Sequence, residues 1–203
     1  MAEERAGLPI HPFKSVAAFE KWLERHHETA DGLWVKIGKK ANPAPSITYD
    51  EAVEVGLCFG WIDGLKNTYD ELWYVQRFTP RKPRSIWSQT NIVRVERLLA
   101  EGRMRPAGLA QVEAAQADGR WDRAYPGSST AEVPADFQAA LAADPAARAA
   151  FDALNRQGRY SILFRIHEAR RADTRARRIN EFVRQLAAGE PTPNVGPRSR
   201  ERE

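Results

Sequence analysis

Two hydrophobic periods alternate along the first half of the chain and predict both helices and strands. Apolar residues recur every three to four positions over residues 15–27, and again after Thr48-x-x-Glu51, a capping-box pattern, so both segments are expected to be helical. Residues 33–38 alternate between apolar and polar positions, as a half-buried strand does. Two more strands are expected at residues 61–63 and 72–78, joined by a turn-rich connection.

In the second half the strand pattern disappears and alanine-rich helical segments follow one another. Ser88 is the expected N-cap of a helix that ends at Gly102. Further helices are expected at residues 106–116, 134–142, 145–154, 161–170 and 174–186. The pattern therefore predicts an α+β fold, with a small N-terminal mixed sheet and helices over residues 10–102, followed by an all-helical part over residues 103–188. Residues 189–203, rich in Pro and Arg, are expected to be a disordered tail.

The composition is that of a globular protein, but it does not indicate an activity. Of the 203 residues, 42% are hydrophobic and 29% are charged, which is ordinary for a globular protein. The net charge of +4 arises after residue 102, where 17 arginines stand against 13 acidic residues. The single cysteine, Cys58, excludes an intramolecular disulfide and a multi-cysteine zinc site. We expect no metal, no cofactor and no transmembrane segment, and the absence of a signal-peptide pattern favours a cytoplasmic location.

The block between residues 60 and 91 concentrates the residues that could bind a ligand. Four cations and no acid lie between Arg77 and Arg84, and Pro80 and Pro83 stiffen the chain around them. Trp73, Val75 and Arg77 share one face of the predicted strand. Arginine and lysine bind phosphates and carboxylates, and tryptophan stacks on planar rings, so this block predicts a site for a small anionic ligand. The predicted site residues are Trp61, Asp63, Trp73, Arg77, Thr79, Arg81, Lys82, Trp87, Ser88 and Asn91.

Asp63 and the cationic block each allow a second interpretation. Asp63 could act as a general acid or base or hold an arginine in place, but an Asp-Gly pair is also a common turn. The block from Arg77 to Arg84 could clamp an anion, or it could be a solvated loop paired with surface acids. A cluster of arginines at residues 170–178 could bind an anionic polymer or a membrane surface, although local acids accompany it. Walker, dinucleotide-binding and RNA-recognition signatures are absent, so no specific nucleic acid is expected.

Several of these motifs resemble the bacterial YdeI/OmpD-associated family, also called bacteriocin-protection or OmdA-like proteins. The resemblance extends over residues 11–188. It rests on residues 48–52, 58–64 and 78–82, on Trp87-Ser88-x-x-Asn91, on Gly102-x-Met104, Gly108 and residues 119–121, and on Thr174-Arg175-x-x-Arg178-Ile179. It implies a role in surviving bacteriocins or antimicrobial peptides and an association with an outer-membrane porin. It brings no catalytic residues with it.

Three functions follow as hypotheses. The first is a binder of a small anionic, aromatic or phosphorylated ligand in a stress-resistance setting, and this is preferred over an enzyme. The second is an enzyme that uses Asp63 as acid or base and the arginines as an anion clamp. The third is an adaptor for nucleic acid or membrane surfaces that uses the C-terminal arginines, and the helical C-terminal region could also contact a protein partner. A closed pocket where Asp63 and Arg81 converge would favour the first two, and a flat arginine-lined face would favour the third.

Overall fold

The computed structural model describes residues 3–191, and the chain divides into two compact units, one ending at Ala124 and the other beginning at Tyr125. Most of the expected tail, from residue 192 onward, lies outside the described residues. The division falls later than the expected boundary after residue 102, because helix Pro106–Ala117 packs on the N-terminal unit. A Cβ at Gly108 would lie 2.3 Å from the Cys58 carbonyl oxygen, so only glycine permits this close approach.

The N-terminal unit combines a five-stranded sheet with four helices, which confirms the α+β prediction. Its elements are β1 (Glu4–Arg5), β2 (Leu8–Pro12), α1 (Val16–His26), β3 (Leu33–Gly38), α2 (Tyr49–Cys58), β4 (Trp61–Thr68), β5 (Trp73–Pro80), α3 (Gln89–Ala100) and α4 (Pro106–Ala117). The strand order is β1-β2-β3-β5-β4; β2 and β3 are parallel and the other pairs are antiparallel, so the sheet is mixed.

Local signals in the sequence fix most helix starts. The side chain of Ser15 caps α1, and Thr48 with Glu51 completes the capping box of α2. Ser88 caps α3 by accepting a hydrogen bond from the backbone N–H of Asn91 at 3.1 Å. The main core is then formed where these helices pack on one side of the sheet through residues such as Phe19, Leu33, Val55, Phe78 and Leu98.

Two strand predictions need correction. Strand β4 continues to Thr68, although residues 64–70 were expected to be a turn-rich connection. Gly64 is tolerated in it because the strand register shifts between Asp63 and Lys66, where backbone regularity is already interrupted. Strands β1 and β2 were not predicted at all, since they are short and contain two prolines, at Pro9 and Pro12.

The C-terminal unit consists of helices in the part of the chain that the structure describes, as predicted. They are α5 (Ala135–Ala142), α6 (Pro145–Ala153), α7 (Arg156–His167) and α8 (Ala172–Ala187). Helix α7 begins before the expected residue 161, because the Asn155 side chain caps it by accepting from the Gly158 N–H at 2.8 Å. The core of this unit includes Phe137, Phe151, Ile162 and Phe182.

Candidate functional site

The sheet of the N-terminal unit has two unlike faces. The main core covers one face, whereas the other carries a small cluster of buried Ile10, Trp34 and Val75, with Leu8, Leu65 and Tyr69 packed around them. None of the residues in this small cluster belongs to helices α1 to α4. We call this second side the basic face. It includes the strand positions of Trp34, Lys36, Trp73, Val75, Arg77 and Thr79.

Cationic side chains lie over aromatic rings on the basic face. The Lys36 ammonium nitrogen lies 3.7 Å from the centre of the Tyr69 ring and 5.3 Å from that of Trp73. The Arg5 guanidinium carbon lies 5.6 Å from the centre of the Trp34 ring. Such cation–π contacts hold a positive charge in place without neutralising it, so the charge stays available to an anion.

Arg77 is the most unusual residue of this face. Its Nε atom is buried and has no hydrogen-bond partner within the described chain. Gly64 makes room for it, since a Cβ at that position would lie 3.3 Å from the Nε atom, and the Gln76 side chain holds the Gly64 carbonyl at 2.8 Å. A buried donor without a partner costs about 1–3 kcal/mol, so the fold keeps Arg77 here at the expense of stability.

The charges of the basic face are not balanced by acids on the same strands. Lys36 pairs with Val75 and Trp34 pairs with Arg77, so the two cations lie diagonally across adjacent strands. No Asp or Glu occupies a strand position on this face among residues 3–191. The carboxylate of Glu3, just before β1, accepts a hydrogen bond from the Tyr69 hydroxyl at 2.7 Å. The basic face therefore presents net positive charge.

The structure separates the predicted site residues into groups. Trp73, Arg77 and Thr79 alternate along β5 and share the basic face. Trp61 and Asp63 lie on the opposite face, because Asp63 pairs with Phe78, a residue of the main core. Asp63 and Arg77 therefore project from opposite sides of the sheet, and this pair does not form one acid-and-clamp site.

Trp61 and Asp63 fix the helices to the sheet. The Trp61 indole is 1% exposed, donates to the His27 carbonyl at 3.2 Å and meets the Trp22 ring edge-on at 5.9 Å. Asp63 accepts a hydrogen bond from the Tyr49 hydroxyl at 2.8 Å. Burial, followed by the Asp63 carboxylate, raises the pKa of Tyr49 above its ordinary value, so this hydroxyl stays protonated and remains a donor.

Arg81 and Trp87 come together, but as a support for the loop between β5 and α3. Arg81 is 6% exposed, its guanidinium carbon lies 3.6 Å from the centre of the Trp87 ring, and it donates to the Ile86 carbonyl at 3.3 Å. Arg120 donates to the Ser85 carbonyl at 2.9 Å from the other side. Two arginines thus fix the shape of this loop.

The remaining predicted residues flank that loop. Lys82 and Arg84 are exposed, so they are the cations of the block that water reaches freely. Ser88 caps α3, and buried Asn91 accepts a hydrogen bond from Arg94 at 3.3 Å. Because Arg77 lies inside β5 and Arg81 is buried, the four cations do not form the single loop display that the sequence suggested.

Sequence reasoning missed Lys36, Gly64 and Arg120. Lys36 is the only charged residue in β3, and strand alternation alone places it on the face opposite Val35, so this signal was available. The fit of Gly64 against Arg77 depends on a register shift, and the contact from Arg120 to the loop spans 35 positions. Neither leaves a local pattern in the sequence.

In the C-terminal unit, two arginines of α8 stabilise the end of α7. Arg175 donates to the Ile166 carbonyl at 2.9 Å and Arg178 donates to the Arg165 carbonyl. Carbonyls in the last turn of a helix lack partners within the helix and carry partial negative charge, so these contacts have a structural role. Arg175 also pairs with Asp136 at 2.6 Å and lowers the pKa of that carboxyl.

Residues 3–191 contain no cluster of three or more His, Cys, Asp or Glu side chains arranged to hold a metal ion. Within the same range, no helix is both long and apolar enough to cross a membrane.

Burial raises the pKa of the Cys58 thiol to about 11, so this cysteine is a protonated core residue at neutral pH.

The two units correspond to two kinds of domain, an α+β domain and a helical domain. Residues 11–111 match the model of a domain of unknown function (DUF8412), and residues 130–189 match the family described as Bacteriocin-protection, YdeI or OmpD-Associated. Residues 130–189 therefore carry a domain of the YdeI/OmpD-associated family, which confirms the resemblance over that part of the chain. The N-terminal motifs fall outside that matched range. Neither the curated proteins nor the solved structures gave a match.

Proposed function

We propose that the N-terminal unit binds a small anionic ligand carrying a planar ring on its basic face. One observation carries this proposal: the guanidinium of Arg77 is half-buried with an unpartnered Nε, on a face whose strands supply cations but no carboxylate. The unpartnered Nε costs stability, whereas an arriving anion would make charge-assisted hydrogen bonds with the terminal nitrogens of the same guanidinium. Thr79, next on the same face, can donate its hydroxyl.

The spacing along β5 suggests the size of the ligand. Trp73 and Arg77 are four residues apart, which is about 13 Å at the rise of an extended strand. Lys36 lies between them, opposite Val75 on the neighbouring strand. A compound about as long as a nucleotide would therefore place its ring against the half-exposed Trp73 and its anionic group at Arg77. Lys36 would then be a second contact for negative charge.

Binding is better supported than catalysis. The acid that the sequence offered, Asp63, lies on the opposite face and accepts a hydrogen bond from Tyr49. A general acid or base must reach the substrate within about 3 Å, and Asp63 does not reach the basic face from there. The setting suggested by the family description, protection against bacteriocins, and a cytoplasmic location remain parts of the proposal.

The alternative adaptor function through α8 has less support. Arg175 and Arg178 donate hydrogen bonds to carbonyls of α7, and Arg171 pairs with Asp173 at 3.1 Å. The apolar stripe of the same helix, including Phe182, is buried in the core of its own unit. We therefore expect only weak binding to arbitrary duplex DNA at physiological salt.

The proposal is tested by titrating the full chain with adenosine monophosphate, adenosine and inorganic phosphate while amide shifts are followed by NMR. Adenosine monophosphate should bind more tightly than either fragment, with shifts concentrated at Lys36, Gly64 and residues 73–79. The Trp73→Leu variant should lose the advantage of adenosine monophosphate over phosphate. Shifts confined to the exposed loop at Lys82 and Arg84, or no saturable shifts with any probe, would refute the proposal.

Native mass spectrometry of the protein purified from its host would identify the physiological ligand. A retained compound should carry both a planar ring and an anionic group. A neutral or cationic compound retained instead would contradict the assignment of the basic face.

A further inference from the structure

The C-terminal unit contains a cavity of about 180 Å³ that the proposed function does not use. It lies between α7, the first turn of α8 and the segment that precedes α5. Three aromatic rings line it: Tyr125 meets Phe164 edge-on at 5.0 Å and 89°, and Tyr160 lies 6.0 Å from Phe164. The Tyr160 hydroxyl donates to the Pro126 carbonyl at 3.2 Å, which ties the two sides of the cavity together.

The volume of the cavity suits an occupant with a single ring. An apolar protein cavity of roughly 150 Å³ accommodates benzene, so about 180 Å³ has room for a six-membered ring and a few further atoms. The aromatic walls favour a planar ring over a saturated one, because edge-to-face and offset contacts add about 0.5–1.5 kcal/mol per pair beyond simple burial.

One end of the cavity offers fixed hydrogen-bond donors. Arg175 lines it and donates through Nε and Nη2 to Asp136 at 2.6 and 2.9 Å, and through Nη1 to the Ile166 carbonyl at 2.9 Å. A guanidinium has five N–H groups, so one remains on each terminal nitrogen. Because three bonds already hold the group, little further entropy is lost when a ligand accepts from it. His167 also lines this end.

The hydrogen-bond donors at this end, and not the net charge, favour a carboxylate over an ammonium group, because Asp136 balances the charge of Arg175. Asp136, which does not line the cavity, is paired with Arg175, and Glu132, the acid in the lining, is exposed, so water and salt screen its charge. Arg175 keeps its charge at every accessible pH. A carboxylate accepts two hydrogen bonds at once, which matches the two remaining donors, whereas an ammonium group would bring further donors to a donor-rich end.

We propose that this cavity binds a monocyclic aromatic carboxylate of the benzoate class, with its ring among Tyr125, Tyr160 and Phe164 and its carboxylate on Arg175. The site is independent of the basic face, since it lies in the other unit and shares no residue with it. Failure of one proposal therefore leaves the other unaffected.

Three probes of similar size test the proposal on the full chain: benzoate, cyclohexanecarboxylate and benzylammonium. With amide shifts followed by NMR, benzoate should give a saturable titration with the largest changes at Phe164 and His167. Cyclohexanecarboxylate should bind at least threefold more weakly, because it lacks the ring contacts, and benzylammonium at least tenfold more weakly. Equal or tighter binding of benzylammonium, or no saturable shifts at these residues with benzoate, would overturn the proposal.

A filling substitution provides a second test. Ala131→Leu adds bulk to the wall of the cavity, and Ala139→Leu adds the same bulk to the exposed side of α5 as a matched control. Benzoate affinity should fall at least tenfold in the first variant and stay within twofold in the second. Unchanged affinity in a folded Ala131→Leu protein would place the ligand elsewhere. If that variant does not fold, the comparison of the three probes on the unaltered chain decides the question alone.

Discussion

Arg81→Ala should destabilise the N-terminal unit, even though the sequence presents Arg81 as one cation of an exposed loop. The structure buries its side chain, stacks the guanidinium 3.6 Å from the centre of the Trp87 ring and joins it to the Ile86 carbonyl at 3.3 Å. A desolvated cation–π contact contributes about 2 kcal/mol and a hydrogen bond from a charged group about 1.5–3 kcal/mol. The cost of burying the charge offsets part of this sum, so we expect a net loss of about 2–3 kcal/mol.

Tryptophan fluorescence during urea unfolding measures this loss cleanly. All six tryptophans lie at or before Trp121, so their emission reports the N-terminal unit alone. At a slope of about 1–3 kcal/mol per molar urea, the expected loss lowers the midpoint by roughly 0.7–3 M. Arg84→Ala, in the exposed part of the same loop, should change stability by less than about 0.5 kcal/mol. Equal midpoints for Arg81→Ala and Arg84→Ala would refute the supporting role of Arg81.

Three further substitutions test the packing and the ion pairs. Trp61→Ala should cost about 3–5 kcal/mol in the same urea assay, and an unchanged midpoint would place this ring at the surface. Gly108→Ala should cost about 3 kcal/mol through its clash with the Cys58 carbonyl, although helix propensity alone predicts a gain of about 1 kcal/mol. Asp136→Asn should lower the melting temperature, measured by circular dichroism, at neutral pH. Since Arg175 lowers the folded-state pKa of Asp136, its stabilisation is present above the unfolded pKa of about 3.9 and disappears as the pH falls through the lower folded value. A difference that does not shrink as the pH is lowered below about 3.9 would contradict this assignment.

The fold could be predicted to the extent that local signals specify it. Capping residues such as Ser15, Thr48 and Ser88 mark helix starts directly, because the side chain itself bonds the first free N–H groups. The extension of β4 could not be predicted, since a register shift makes Gly64 acceptable inside a strand. The assignment of α4 to the N-terminal unit depends on how closely Gly108 approaches Cys58, a contact across 50 positions.

The candidate site was predictable in composition but not in arrangement. Strand periodicity correctly grouped Trp73 and Arg77, since alternation is a property of any strand. The same periodicity does not specify which strands are neighbours, so the contacts of Lys36 with Tyr69 and Trp73 could not be predicted from the sequence. Burial could not be predicted either. The sequence indicates that Arg81 is a solvated loop cation, whereas the structure stacks it on the Trp87 ring.

The central claim, that Arg77 is kept for a ligand, is tested most directly by comparing Arg77→Met with Arg84→Met. Arg77→Met should weaken binding of adenosine monophosphate, measured by isothermal titration calorimetry, by at least tenfold, because a charge-assisted hydrogen bond contributes about 1.5–3 kcal/mol. Its urea midpoint should be equal to or higher than that of the unaltered protein, because an unpartnered buried donor has been removed. Arg84→Met should change neither quantity. Equal affinities in all three proteins, or a large loss of stability in Arg77→Met, would show that Arg77 serves the fold and not a ligand.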